Sequence, residues 1–490
     1  MANNAAVVPD AVVKPHVPLT LHPDRAFPAE KHTRDLARQI YGHIKDLPII
    51  SMHGHVPVEW FVDDTPFSDP AALLVTPDHY LMRMIVSQGK YHLGDFGVES
   101  NDPNYPTEKD PREIWRHFCE NWPAFRGTPT RYWLEQELAE IFGVTERPSA
   151  ESADRIYDQI QKVINKKWFR PRELLDRFNI QVIGTTDPAW DTLEDHKKLA
   201  EQGWGDRILP TFRPDAVMTL NDPNFAANVR KMGEAASVPV TDYASYLAAM
   251  RAQRLRFKAA GARATDHGVL YADTTPLPDA EAAALFDRVL RGDELTQKEV
   301  DAFIANMMFQ SAKMSSEDGL VMQIHPGVSR GHSTTVTETF GSDKGYDIPV
   351  AVEYTNALRP MLEAFGNNPD FRCIVFTIDE DVYTRELAPL AGVYPSMKLG
   401  APWWFIDSPE GMRRFREAVT ETAGFYNTTG FVDDTRAFCS IPARHDLARR
   451  IDAGYLARLV AEHRLELDEA IDTAIDLTYR LPLAAYAARP

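Results

Sequence analysis

The chain has 490 residues, a formal net charge of −18, and 44% hydrophobic against 25% charged residues. That balance fits a globular enzyme with a large core. It excludes a nucleic-acid binder, whose partner demands a surplus of Lys and Arg, and no stretch approaches the roughly 18 apolar residues that cross a bilayer. Cys119, Cys373 and Cys439 lie far apart with no C-x-x-C, and Met1-Ala2-Asn3-Asn4 lacks the basic and apolar features of a secretory leader. The expected compartment is therefore the reducing cytoplasm.

In chain order, residues 1–30 are rich in Pro, Ala and Val without periodicity and read as an N-terminal arm. A helix is expected over 31–45, then a short buried strand over 48–53. The apolar run Leu47-Pro48-Ile49-Ile50 leads into Met52-His53-Gly54-His55. Residues i and i+2 of a strand project to one face, so His53 and His55 can point at a single cation, and neutral imidazole is the commonest metal ligand.

Residues 56–170 break the pattern and read as a helical insertion. They carry Asp78-His79-Tyr80 and the aromatic set Trp115, Phe118, Trp122, Phe125, Tyr132, Trp133 and Phe142, which at this spacing is packing rather than a ligand box. Glu151–Asp176 looks helical, with Pro171 opening a new turn.

From 178 onward strands and helices alternate. Strands are expected at 180–184, 207–212, 269–272, 320–325, 373–378, 397–399 and 430–432. Helices are expected at 193–202, 223–234, 241–259, 279–290, 297–313, 350–366 and 409–421. Thr296-x-x-Glu299 is a capping box. With 48–53 this makes about eight strands, each followed by a helix, which predicts an α/β fold of TIM-type (β/α)8 barrel architecture over 31–55 and 171–442. A doubly wound open sheet competes, but it would carry a Gly-rich turn where this chain has His-Gly-His. Helical patterns at 445–451, 455–463 and 467–479 predict a C-terminal helical cap over 443–490.

A barrel gathers its strand ends on one rim. The expected ends supply His53 and His55, Thr185-Thr186-Asp187, Arg213-Pro214-Asp215, His325, Trp403-Trp404 and Asp433-Asp434-Thr435-Arg436, and the segment before 269 carries Asp266-His267. Two histidines from the first strand, a further histidine and a carboxylate from the last would make a site suited to one divalent metal, zinc above others. Adjacent strand residues face opposite ways, so at most one of Asp433 and Asp434 joins it.

Ordered segments over about residues 25–480 extend the pattern. They include Asp78-His79-Tyr80 with Arg83, Gly127-Thr128-Pro129, Gly184-Thr185-Thr186-Asp187, Leu209-Pro210-Thr211-Phe212-Arg213-Pro214-Asp215, Asp266-His267-Gly268, Met322-Gln323-Ile324-His325, Trp403-Trp404-Phe405 and Asp434-Thr435-Arg436. In these the chain resembles the uronate isomerases (glucuronate/galacturonate isomerase) of the amidohydrolase superfamily. The resemblance implies an aldose–ketose isomerisation of D-glucuronate to D-fructuronate and D-galacturonate to D-tagaturonate, through an enediol. It implies His53, His55 and Asp434 as metal ligands with His325 at or beside the metal. Tyr80 would be the C2 base, Arg436 its cationic neighbour, and Asp434 a proton acceptor in ring opening. Arg213, His325, Arg330 and Trp403 would meet the substrate. Ser329-Arg330-Gly331-His332 replaces the family's basic-Asn run, and Gly54 stands where Cys is usual. A sugar-acid substrate and a homo-oligomer are the expected partners. A metal-dependent hydrolase of the same superfamily, acting on a lactone, ester or amide, is the alternative; it needs no C2 base.

Overall fold

The computed structural model describes residues 17–488, and residues 1–16 of the expected N-terminal arm lie outside that range. The chain divides into two compact units. One comprises Phe67–Lys166 with the described residues up to Pro23; the other comprises Asp24–Pro66 and the chain from Lys167 onward.

The first unit is helical. Its helices include Pro70–Leu74, His79–Val86, Pro111–Glu120, Pro129–Gln136 and Ala153–Ile164. Several begin with an Asp or Thr cap followed by proline, the favoured chemistry of a helix start: Asp69, Asp110 and Thr128 accept from backbone N–H groups of the first turn. Trp115, Phe118, Trp122, Phe125 and Trp133 are buried, with Trp122 edge-on to Phe118 at 5.6 Å.

The second unit carries the strands β1 Ile49–Ser51, β2 Ile180–Gly184, β3 Asp187–Pro188, β4 Ile208–Leu209, β5 Phe212–Arg213, β6 Ala264–His267, β7 Val321–Ile324, β8 Val328–Ser329, β9 Ile348–Pro349, β10 Cys373–Val375 and β11 Met397–Leu399. They form a sheet of order β1-β2-β4, a sheet of order β11-β10-β7-β6-β5-β3, and the β8-β9 pair. All pairings in the first two sheets are parallel, and β8-β9 is antiparallel. Thr185 N donates to Leu209 O and Asp187 N to Thr211 O, both at 2.9 Å, so hydrogen bonding continues from the β2–β4 pair into the β3–β5 pair.

The expected single eight-stranded sheet is thus resolved as two parallel sheets. Two strand expectations need correction. Residues 269–272 are not a strand; the strand lies earlier, at β6, and pairs in register with β7 from Ala264↔Val321 to His267↔Ile324. Its polar residues Thr265, Asp266 and His267 are all buried, and that composition hid it from a search for apolar runs. Residues 430–432 form no strand either: only Thr428 bridges to Leu399, and Gly430 turns at φ +76°.

Strand residues alternate between two cores, as a period of two requires. Met322, Ile324, Cys373, Val375, Met397 and Leu399 pack into a large cluster with helix residues such as Tyr246, Phe257, Phe303 and Met307. Val321, Ile374, Ile50, Val182, Leu209 and Ala264 pack with one another and with Phe376, Val432 and Tyr486. Burial on both faces explains why these strands read as continuous apolar runs.

The helix expected over 279–290 is found as Asp279–Leu290, and the one expected over 241–259 ends as expected but begins at Tyr243, after the Asp242 cap. Thr296 and Glu299 form the expected box, Thr296 Oγ1 accepting from Glu299 N and Glu299 Oε2 from Thr296 N. The helix expected over 350–366 is confined to Arg359–Phe365, because upstream the amides of Tyr354 and Thr355 donate to the Glu386 carboxylate at 2.6 and 3.0 Å instead of to a helix. The C-terminal segments expected at 445–451 and 455–463 are one helix, Ile441–Ala461. Asp452 in its middle takes both nitrogens of buried Arg416, at 2.6 and 2.8 Å, and so sits inside the core rather than at a break. Among the described residues no helix is long and apolar enough to cross a membrane.

Candidate active site

β1 ends at Ser51, and the chain runs on into His53-Gly54-His55. His53 is 1% exposed and His55 about a third exposed, and their Nε2 atoms lie 3.5 and 3.1 Å from Asp434 Oδ1. Asp434 holds a left-handed backbone, φ +39°, which Asp tolerates better than most residues. The neighbouring Asp433 turns to the other side, where its Oδ2 meets His445 Nε2 at 3.0 Å. Of the pair, Asp434 therefore meets His53 and His55.

His325 follows directly on β7. Its ring stacks on His53 with centroids 4.6 Å apart and on Phe376 at 4.1 Å, and Trp403 closes the edge at 4.7 Å. Trp403 is thus a wall of the site. His325 Nδ1 lies 2.7 Å from Asp266 Oδ1. With Asp266 ionised, Nδ1 carries the proton and the Nε2 lone pair is left available.

The electrostatics agree with that assignment. Burial opposes the Asp266 charge, but Arg213, His53 and His325 outweigh it and hold the carboxyl well below its ordinary range. Burial likewise opposes the Asp434 carboxylate, and His53, His55 and His325 again prevail, so its pKa is lowered. Burial lowers the pKa of the His325 imidazole below its usual value, against the pull of Asp266.

His53, His55 and Asp434 bring one donor atom each within reach of a common ion, as do His53, Asp266 and His325. His53 Nδ1 and His325 Nε2 are buried without a hydrogen-bond partner, a costly condition unless something else satisfies them. Two imidazoles and a carboxylate with orphaned ring nitrogens beside them fit a divalent cation.

Three arginines gather nearby. Arg213 Nε donates to Asp215 Oδ2 at 2.8 Å and its Nη1 lies 3.1 Å from Asp266 Oδ2. Asp215 in turn accepts from Gly268 N. A Cβ on Gly268 would come within 2.4 Å of Arg213 Nη2 and 3.3 Å of Arg330 Nη2, so a side chain there would have to displace the Arg213 guanidinium. Arg330 Nη1 lies 3.4 Å from Asp347 and 3.6 Å from Asp343, and Arg436 Nη2 3.5 Å from Asp343.

Tyr80 belongs to the helical unit. It sits in the first turn of His79–Val86, where Asp78 caps its amide, and it lies edge-on to Trp133 at 5.6 Å. Asp266, to which the sequence reading assigns no role of its own, is the main residue the structure adds to the site. An Asp directly before His-Gly at the end of a strand was the available signal. His267, its neighbour, faces away: it is fully buried beside Thr265, and burial lowers its pKa to about 4.

Strand ends and the loops beside them bring two imidazoles, a carboxylate and several arginines to one place, and so define an enzyme site able to hold a metal ion. A glucuronate isomerase family profile matches residues 27–482. The chain is 53% identical over 466 residues to the uronate isomerase of Rhizobium meliloti, covering 95% of this chain and 99% of that relative. Among solved structures it is similar to glucuronate isomerase from Caulobacter crescentus, with a TM-score of 0.93 and 49% identity over 97% of this chain and 98% of the other. It is also similar to uronate isomerase from Thermotoga maritima, with a TM-score of 0.88 and 27% identity over 95% and 99% of the two chains. The chain belongs to the glucuronate isomerase family and is an isomerase.

Proposed function

We propose that the chain interconverts hexuronates, D-glucuronate with D-fructuronate and D-galacturonate with D-tagaturonate, by proton transfer through an enediol. The observation that carries this reading is the meeting of His53, His55 and Asp434 in a chain that matches the family over nearly its whole length. The parallel strands are read as an amidohydrolase-type (β/α)8 barrel, supported by one cluster to which β1, β2, β4, β6, β7 and β10 each contribute a residue and by the hydrogen bond from His55 N to Thr435 O.

In this reading His53, His55 and Asp434 hold one divalent cation, zinc by the chemistry of the donor set, with His325 beside it. Such a cation, when bound, polarises a carbonyl and orients open-chain hydroxyls. Asp434 accepts a hydroxyl proton as the sugar ring opens, since its carboxyl stays ionised. Tyr80, assigned by the Asp78-His79-Tyr80 motif, takes the C2 proton. A phenol of pKa near 10 serves as a base only beside a cation, which the same motif match assigns to Arg436. Arg213 and Arg330 present planar donors suited to the substrate's oxygens, and Trp403 walls the pocket.

The test is NMR of either hexuronate with enzyme in D2O. Deuterium is expected at C1 of the ketose, and Tyr80→Phe is expected to lose turnover while keeping its metal content. A ketose that retains the substrate's C2 hydrogen quantitatively, by hydride transfer, would overturn the enediol. Full turnover by Tyr80→Phe would remove the proposed base.

A further inference from the structure

The excursion between β8 and β9 is anchored at its base and open at its tip. At the base Val328 pairs with Pro349 and Ser329 with Ile348. His332 N donates to Tyr346 O at 2.9 Å, and Gly331 N donates to the buried Asp347 at 2.7 Å. The segment rises through helix Thr334–Phe340 and returns through Gly341-Ser342-Asp343-Lys344-Gly345 without regular structure. Gly341, Asp343 and Gly345 all hold positive φ, at +83°, +59° and +83°. Nothing packs where a Cβ on Gly341 would lie.

The tip delivers one side chain to the site. Asp343 Oδ1 lies 3.6 Å from Arg330 Nη1, and Oδ2 lies 3.5 Å from Arg436 Nη2. One carboxylate thus faces two guanidiniums, with one oxygen toward each, which is how a uronate carboxylate would meet them. The second anion on Arg330 differs in kind: Asp347 is 3% exposed and fixed by Gly331 N, whereas Asp343 is 48% exposed. Pairs at that exposure and distance are weak, so Asp343 can be displaced where Asp347 cannot.

We infer that Asp343 is a displaceable internal counter-ion, a specificity residue that occupies Arg330 and Arg436 until a substrate anion takes its place. The inference rests on the reading of those two arginines as substrate-side groups. Its consequence is selection for charge. A carboxylate ligand restores the ion pairs that the tip gives up, while a neutral sugar restores neither of them and gains nothing by moving Asp343.

The test is Asp343→Asn in the metal-loaded enzyme. Asn keeps the size of Asp and tolerates the left-handed backbone, so the fold is retained. KM for D-glucuronate is expected to fall by about threefold to tenfold, the worth of two half-exposed ion pairs, with the change on KM rather than on kcat. Calorimetric titration with D-gluconate, which carries a carboxylate but no carbonyl to isomerise, is expected to show the same gain in affinity; D-sorbitol, its uncharged counterpart, shows none. Asp343→Glu is expected to restore the parent KM. Unchanged KM together with unchanged gluconate affinity would overturn the inference. So would a fall in kcat at constant KM, which would make Asp343 a support for Arg436. Parent enzyme that turns over neither hexuronate would refute the proposed function instead, and the gluconate and sorbitol titrations would still decide the role of Asp343.

Discussion

Asp266→Asn tests whether the buried carboxylate organises the site. Asp266 is 1% exposed, with one oxygen 2.7 Å from His325 Nδ1 and the other 3.1 Å from Arg213 Nη1. The amide has nearly the same shape but one acceptor. If that acceptor keeps His325, the NH2 group faces a guanidinium donor; if the amide flips, His325 loses the partner that sets its tautomer. Either way one charge-assisted hydrogen bond is lost, worth about 1.5–3 kcal/mol, and the metal-side histidine is less well held, which typically costs about 10- to 100-fold in metal affinity or activity. At about 1.4 kcal/mol per factor of ten, kcat/KM for D-glucuronate should fall about 10- to 100-fold. The assay pairs that measurement with elemental analysis of the metal left after dialysis against a graded chelator. Circular dichroism and a thermal melt show that the variant is folded. Asp266→Glu should not rescue, because a longer arm cannot serve two partners fixed on different strands. A folded Asp266→Asn enzyme with parental kcat/KM and parental metal retention would refute this account, and the two bonds would then be packing only.

Two further perturbations act on the scaffold. Asp452→Ala leaves Arg416 buried without its bidentate partner; the expected loss is about 3–5 kcal/mol, read as a lower denaturant midpoint, and a loss below about 1 kcal/mol, the scale of an exposed pair, would contradict the buried assignment. Asp187→Asn should change the dependence of stability on pH. Burial raises the Asp187 pKa from 3.8 to about 7, in spite of hydrogen bonds from Thr185 and the Thr211 amide. Between those values the folded chain keeps a proton that the unfolded chain has released, so the contribution of Asp187 declines as pH rises through the window. His196, bonded to the same Thr185 hydroxyl, has its pKa lowered by burial from 6.5 to about 4 and contributes with the opposite slope. The stability of Asp187→Asn relative to the parent should therefore rise by about 3 kcal/mol from pH 4 to pH 7. Parallel stability curves for the two proteins would show that Asp187 ionises normally.

The sequence was legible where function rides on a local period. Ile49 and Ile50 precede His53-Gly54-His55, and the i, i+2 spacing was enough to expect the two imidazoles on one face, although β1 itself ends at Ser51. The same rule divided Asp433 from Asp434 without saying which would turn inward; that depended on His445, from the C-terminal helix, taking Asp433. Legibility failed where tertiary partners replace local ones. β6 is a strand although three of its four residues are polar, because Asp266 is neutralised by Arg213 and His325 from β5 and the end of β7, and no pattern within 264–267 contains that information. Residues 350–358 lose a helix to the carboxylate of Glu386, more than 30 positions away. Asp343 was invisible for a related reason: on an irregular tip flanked by glycines, its meaning comes only from the two guanidiniums it meets. The expectation that His53 and His55 come together thus follows from their spacing. The groups that orient them, Asp266 on His325 and Gly268 making room for Arg213 and Arg330, follow from three-dimensional packing, and a substitution that spares the motif while altering those supports would look harmless in the sequence and not in the enzyme.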